Sequence, residues 1–156
     1  MTKLYFSYGM NTNLTQMALR CPQAQSLGAA VLPHYRFEFK SYATVTPDMG
    51  NEAHGVLWEI TDECELALDR LEGYPVYYSK INVWVMYKGE LTPCMTYLMY
   101  AEEEYNYPSD SYVDMLIEGY TAHGVDTEQI DVALMALDHQ FGLTYSKDVA
   151  IVYYDQ

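Results

Sequence analysis

Glu72 is the residue that local rules place least comfortably. In LDRLEGYPVYY, Leu68–Tyr78, it follows Leu68 by four positions and adjoins Leu71. On a helix it therefore lies beside the apolar stripe rather than on the wet face. It also falls in the last turn before a Gly73 stop, where the negative end of the helix dipole repels a carboxylate. Burial and dipole both push its pKa above the ordinary value of about 4.3. An acid tuned towards neutrality is what proton transfer requires. The same carboxylate could instead fray outward or pair with Arg70 or Lys80, and the residues alone leave that open.

The second feature is LYFSYGMNTN, Leu4–Asn13. A short strand, Leu4–Tyr8, ends at Gly9 and turns directly into a helix capped by Asn11, Thr12 or Asn13. Backbone N–H groups at such a turn converge, and the helix dipole adds positive potential. The expected result is an anion cradle at Tyr8, Gly9, Met10 and Asn11, made without basic side chains. A plain tight turn is the other reading.

Around these two features the chain reads as alternating elements. The first helix carries Leu14, Met17, Ala18 and Cys21 on one stripe and stops at Pro22. Ala29–Thr46 is rich in strand formers, with Tyr35, Phe37 and Phe39 inward and Arg36, Glu38 and Lys40 outward. Pro47–Gly50 is expected to turn the chain, and His54–Ile60 forms the next strand. Thr61 or Asp62 caps the helix that ends at Glu72, with Asp62 and Glu65 at capping-box spacing and Cys64, Ala67, Leu68 and Leu71 as its stripe. Tyr78–Tyr87 and Pro93–Tyr100 are strands. Ala101–Tyr107, AEEEYNY, reads as a solvated acidic loop or an edge insert. Helices are expected over Ser109–His123 and Thr127–Phe141, then a last strand over Val149–Tyr154. About six strands and four helices point to an α+β fold, a mixed six-strand sheet or small barrel, as a single domain over 1–156.

Composition narrows the function classes. The chain has 156 residues, half of them hydrophobic, and a formal net charge of −14. Residues 1–88 hold 7 basic and 9 acidic side chains, whereas residues 89–156 hold 1 and 13. A nucleic-acid partner is not expected, because phosphate needs clustered cations. An anionic membrane surface is disfavoured for the same reason. Cys21, Cys64 and Cys94 are odd in number and lack a C-x-x-C spacing, so a reducing, cytoplasmic setting is expected. The first residues do not read as a secretory signal, since Ser7, Gly9, Asn11 and Thr12 break the apolar stretch. Dinucleotide, P-loop and serine-elbow motifs are absent, and His34, His54, His123 and His139 have no metal-ligand spacing. No metal or cofactor is expected.

Several short segments, taken in order, resemble the γ-glutamylcyclotransferase-like (AIG2-like) family. YFSYGMN, Tyr5–Asn11, is similar to the family's substrate loop. RCP (Arg20–Pro22), HGVLWEI (His54–Ile60) and PSDSYVDMLIEGY (Pro108–Tyr120) follow at familiar distances. LDRLEG, Leu68–Gly73, resembles the family's L-D-x-x-E-G, whose Glu is catalytic. Tyr78 falls where the family often has a substrate-facing tyrosine. Met10 departs from the pattern, standing where Ser is usual.

The resemblance implies a cofactor-free, amide-cleaving lyase or acyltransferase acting on a small γ-glutamyl substrate. Glu72 would be its acid/base, and Tyr8, Gly9, Met10, Asn11 and Tyr78 would bind substrate, yielding 5-oxoproline. Two other classes compete: a non-catalytic module that captures a small anion in the same cavity, and an interaction protein using its acidic half against a basic partner.

Overall fold

A computed structural model of the chain describes residues 2–145 and 151–153. Five strands close into a barrel: β1 (Thr2–Ser7), β2 (Gln25–Lys40), β3 (Tyr42–Thr61), β4 (Tyr78–Tyr87) and β5 (Glu90–Met99), in the order β1-β3-β2-β4-β5. Every pairing is antiparallel except that of β1 with β5, which closes the ring in parallel, so the sheet is mixed. Four helices accompany it: α1 (Leu14–Arg20), α2 (Asp62–Glu72), α3 (Asp110–Ala122) and α4 (Glu128–Gln140). Strands β6 (Leu143–Tyr145) and β7 (Ile151–Tyr153) pair with each other, apart from the barrel. The expected α+β class and small barrel hold, with five barrel strands rather than six. Of the last expected strand, Ile151–Tyr153 is a strand; Val149, Ala150 and Tyr154 lie outside the described residues.

The expected turn at Pro47–Gly50 is not a chain reversal. β2 and β3 form one long hairpin that reverses at Ser41, and Pro47 pairs with Tyr35 inside it. The Pro/Gly cluster instead faces a register shift between Pro33 and Tyr35, where the Gly50 N–H donates to His34 Nδ1. Proline and glycine mark a bulge as readily as a turn, and the flanking strand formers do not distinguish the two.

The inward alternation of Phe37 and Phe39 holds, but Glu38 and Lys40 do not face solvent. The Ala101–Tyr107 segment covers them. Its three glutamates are exposed, yet Tyr105 returns its hydroxyl to Glu38 at 2.9 Å and its ring lies under the Lys40 ammonium. Tyr107 donates to Asp138 at 2.6 Å, and the Asn106 carbonyl accepts from Ser41 N–H. The acidic loop is thus strapped to the barrel by its aromatic residues.

One core joins Phe6, Phe39, Leu57 and Ile60 of the barrel to Met17, Leu68, Leu116, Tyr120 and Ile130 of the helices. The expected helix stripes are buried where they meet this core; Leu14, Leu71 and Phe141 emerge at their ends, and Ala18 and Ile117 are exposed within theirs. No helix among the described residues is long and apolar enough to cross a membrane.

At Gly55, β3 lies against β1 with no room for a side chain. A Cβ there would sit 2.2 Å from the Ser7 carbonyl oxygen and under 3 Å from the Phe6 ring. Backbone cannot yield as a side-chain tip can, so overpacking here displaces β1. Gly55→Ala is expected to lower the unfolding free energy by about 3 kcal/mol, read from the midpoint of urea denaturation. A midpoint unchanged from the parent would contradict this close approach.

Candidate active site

The loop after β1 is built in two steps rather than one. Gly9 precedes a 3₁₀ turn, Met10–Thr12, and only then does α1 begin, capped by Asn13, whose side chain accepts from Gln16 N–H at 3.1 Å. The helix therefore does not follow Gly9 directly, as its sequence implied, and its N-terminus lies beyond the loop. Ser7 Oγ donates to the Asn11 carbonyl at 3.1 Å and is itself held by Trp58 Nε1 at 3.0 Å. Thr12 Oγ1 closes onto the Gly9 carbonyl at 2.7 Å. The Tyr120 hydroxyl donates to the Tyr8 carbonyl. Asn11, Thr12 and Asn13 are all buried, so this polar loop is fixed by side-chain hydrogen bonds inside the protein.

Glu72 is the last residue of α2. Thr61 caps the other end of that helix, accepting from Cys64 N–H at 3.1 Å; Asp62 does not, and Glu65 serves Lys3 and Lys80 instead of a capping box. Gly73 adopts the left-handed conformation, φ 63° and ψ 36°, which lets the chain leave the helix just beyond the carboxylate. Neither partner considered for Glu72 engages it. Lys80 binds Glu65 at 2.7 Å and Asp69 at 2.9 Å, and Arg70 is exposed.

Instead Glu72 Oε1 accepts from Asn11 Nδ2 at 3.2 Å. The same amide nitrogen donates to the Tyr5 hydroxyl at 3.1 Å, and Asn11 Oδ1 accepts from Arg20 Nη1 at 2.7 Å. Arg20 can only donate, so it fixes which way the Asn11 amide faces and turns both amide hydrogens towards Tyr5 and Glu72. Glu72 is half-buried, and desolvation pushes its pKa up to about 7. The Arg20 charge and the Asn11 hydrogen bond pull the other way and are outweighed.

These groups line a cavity of about 570 Å³. It brings together every residue singled out from the sequence: Tyr8, Gly9, Met10, Asn11, Glu72 and Tyr78. The Tyr78 hydroxyl donates to the Ala43 carbonyl at 2.9 Å, and the Tyr112 hydroxyl accepts from Ala43 N–H at 3.0 Å, so both rings are held as wall. Tyr8 donates to the Tyr97 carbonyl. Burial raises the pKa of all these phenols, which keeps them protonated at neutral pH.

Tyr5, Arg20, Lys40 and Tyr112 also line the cavity and were not expected there. Contrary to expectation, the loop is not free of basic side chains, since Arg20 Nη1 donates to Asn11 Oδ1; Lys40 lines the cavity from β2 without touching the loop. Arg20 was hidden because a cation in the last turn of a helix is ordinary dipole chemistry. Lys40 was hidden because strand alternation sends it outward. Chemically, the hollow offers a carboxyl with a pKa of about 7, an oriented amide, and an aromatic wall.

A family model described as gamma-glutamyl cyclotransferase, AIG2-like, matches residues 5–114. A solved structure titled gamma-glutamyl cyclotransferase is 27% identical, covers 85% of this chain and 86% of its own, and superposes with a TM-score of 0.78. A Homo sapiens protein described as uncharacterized is 28% identical over 84% of this chain and 86% of its own, with a TM-score of 0.76. An AIG2-like protein from Mus musculus shares the fold at 19% identity and a TM-score of 0.56, over 70% of this chain and 89% of its own. Among curated proteins no sequence match is found.

The Arg20–Asn11–Glu72 chain has a direct consequence. Replacing Arg20 by Gln removes a charge that favours ionised Glu72, so the carboxyl should titrate above its present value of about 7. Carbon-detected NMR titration of the Glu72 carboxyl reads this. A midpoint that stays put or falls would separate Arg20 from Glu72.

Proposed function

We propose a reaction for this chain from one premise: it belongs to the gamma-glutamyl cyclotransferase, AIG2-like family. In our reading it is an enzyme that closes the γ-glutamyl group of a small γ-glutamyl amine or amino acid into 5-oxoproline. The amine is released. The observation that carries this reading is a carboxyl with a pKa of about 7 sharing one cavity with the Tyr8–Asn11 loop.

The reaction is an intramolecular aminolysis. The α-nitrogen attacks the γ-carbonyl carbon, a ring C–N bond forms, and the original amide C–N bond breaks. Nucleophile and electrophile belong to one molecule, so the cavity mainly has to hold a folded, near-attack shape. The α-ammonium first gives a proton to the Glu72 carboxylate. Glu72 then returns a proton to the departing nitrogen. Over the cycle the α-nitrogen loses two protons and the leaving amine, departing as an ammonium, gains two, so Glu72 ends as it began. A pKa near the working pH serves both directions of transfer. In this reading the backbone N–H groups of Tyr8, Gly9, Met10 and Asn11 hold the α-carboxylate or steady the developing oxyanion. Tyr78 walls the glutamyl arm. The three cysteines are free and buried, which fits a reducing setting such as the cytoplasm.

Glu72→Gln should keep the fold and bind substrate, yet release 5-oxoproline at least about 100-fold more slowly. In the parent enzyme kcat/KM should rise with pH through about 7 as Glu72 ionises. Full activity in the Gln variant would end the acid/base assignment; capture without turnover, unaffected by the substitution, would make the protein a binding module.

Stability should carry the same signature. The Glu72 pKa is raised from 4.5 to about 7, so between those values the folded state binds more protons than the unfolded one. Folding stability is then lost as pH rises through this window, and the loss is complete above it. Glu72→Gln removes the penalty. Its Tm relative to the parent should therefore climb between pH 5 and pH 8, measured by calorimetry. A constant difference would mean that Glu72 titrates normally.

A further inference from the structure

Lys40 ends β2 with only 7% of its surface exposed, in a cavity-lining position. A buried ammonium is costly unless an anion compensates it. Among the described residues no carboxylate lies within 4 Å of Lys40 Nζ, whereas Lys3, Arg36 and Lys80 each have two. Lys40 has one long hydrogen bond to the Ala101 carbonyl, 3.4 Å, and the face of Tyr105 at 5.0 Å from the ring centre. Glu38 is nearby in the strand, but its carboxylate is taken by Arg36, Thr46 and Tyr105. An ammonium has three hydrogens to donate, so most of its capacity is unspent.

The position of Lys40 in the cavity matters as much as its charge. The Glu72 end is furnished by Asn11, Tyr5 and Arg20. Lys40 lines the same cavity from a different element, the β2–β3 hairpin, together with Glu103 from the acidic loop. That loop is the segment the reaction does not otherwise use. Its Ala101 and Tyr105 hold the ammonium.

We propose that Lys40 is a specificity-determining residue that takes a carboxylate on the departing amine, so that the leaving group is an α-amino acid rather than a simple amine. This rests on the cyclotransferase reading. The missing counter-ion of Lys40 arrives with the substrate, and the strap over β2 serves to keep the ammonium in place until it does. The glutamyl α-carboxylate stays with the Tyr8–Asn11 loop.

The test uses the full chain and two probes matched except for one carboxylate, γ-glutamyl-alanine and γ-glutamyl-ethylamine. Binding is measured by calorimetry on the Glu72→Gln variant, and 5-oxoproline release on the parent. The parent should favour γ-glutamyl-alanine by about 10- to 100-fold in kcat/KM, the range of one charge-assisted contact. Adding Lys40→Met should weaken γ-glutamyl-alanine binding by the same factor and leave γ-glutamyl-ethylamine unchanged. Lys40→Arg should restore the preference, and the parent comparison stands even if the Met variant folds poorly. Equal use of both probes by the parent, or equal weakening of both by Lys40→Met, overturns the assignment while leaving the cyclisation intact. Binding without product overturns the reaction and leaves the Lys40 contact measurable. No binding of either probe sinks both.

Discussion

The structure depends on keeping a carboxylate partly out of water at the end of a helix. Desolvation is the largest influence on Glu72, and it wins against a guanidinium and an amide that both favour the charged form. Everything near the site can be understood as maintaining that balance. Too much compensation would return Glu72 to an ordinary acid; too little would leave it permanently protonated. The arrangement places one neutral amide between Glu72 and Arg20, so that the cation acts on the acid through Asn11 and across space rather than by direct pairing. A direct ion pair would lower the pKa far more strongly.

The barrel makes this balance possible by supplying rigidity on three sides. β1 delivers the loop and β3 is pinned to it, Thr2 opposite Thr61 through Ser7 opposite Val56. The residue after β3 starts α2, and Thr61 lies opposite Thr2, so the helix begins at the far end of the β1–β3 pair from the loop. Its eleven residues then run back to bring Glu72 to Asn11. Gly73 then lets the chain leave at once, which prevents a further helical turn from burying or crowding the acid. The third side is the β2–β3 hairpin, whose Ala43 backbone is gripped at its carbonyl by Tyr78 and at its N–H by Tyr112.

Much of this was legible in the residues alone, and the parts that were not share a cause. Glu72 stood out because it broke two local rules at once, and local rules tend to fail at functional sites. The Tyr8–Asn11 loop stood out through a single glycine between a strand and polar caps. Secondary structure with strong periodicity, such as Val83 and Val85 in β4 or Ile130 and Leu137 in α4, was equally plain. Arg20 and Lys40 were invisible because each sits where a cation needs no special reason. Their meaning lies in what they touch: Asn11, nine residues earlier, and a loop sixty residues later. The Pro47–Gly50 misreading is of the same kind, since whether a bulge or a turn forms depends on the partner strand. Tertiary covering also decided the fate of Glu38, which alternation places in solvent and which instead accepts from the Tyr105 hydroxyl with little of its surface exposed.

Met10 shows how the site tolerates a departure from the family pattern. It lines the cavity and lies half-buried, where the resemblance leads one to expect Ser. The hydrogen bonds that shape the turn run through Ser7, Gly9, Asn11, Thr12 and the Met10 carbonyl, which accepts from Asn13 N–H at 3.0 Å. None of them uses the side chain at position 10, so the backbone of the turn survives the exchange. What changes is the medium. A thioether in place of a hydroxyl removes a polar group from the lining and adds polarisable, apolar volume. Less polar surroundings penalise a charged acid, the same direction in which burial already drives Glu72. An apolar side chain at position 10 and the raised acid are thus mutually consistent: both belong to one cavity, and that cavity holds its carboxyl near neutrality.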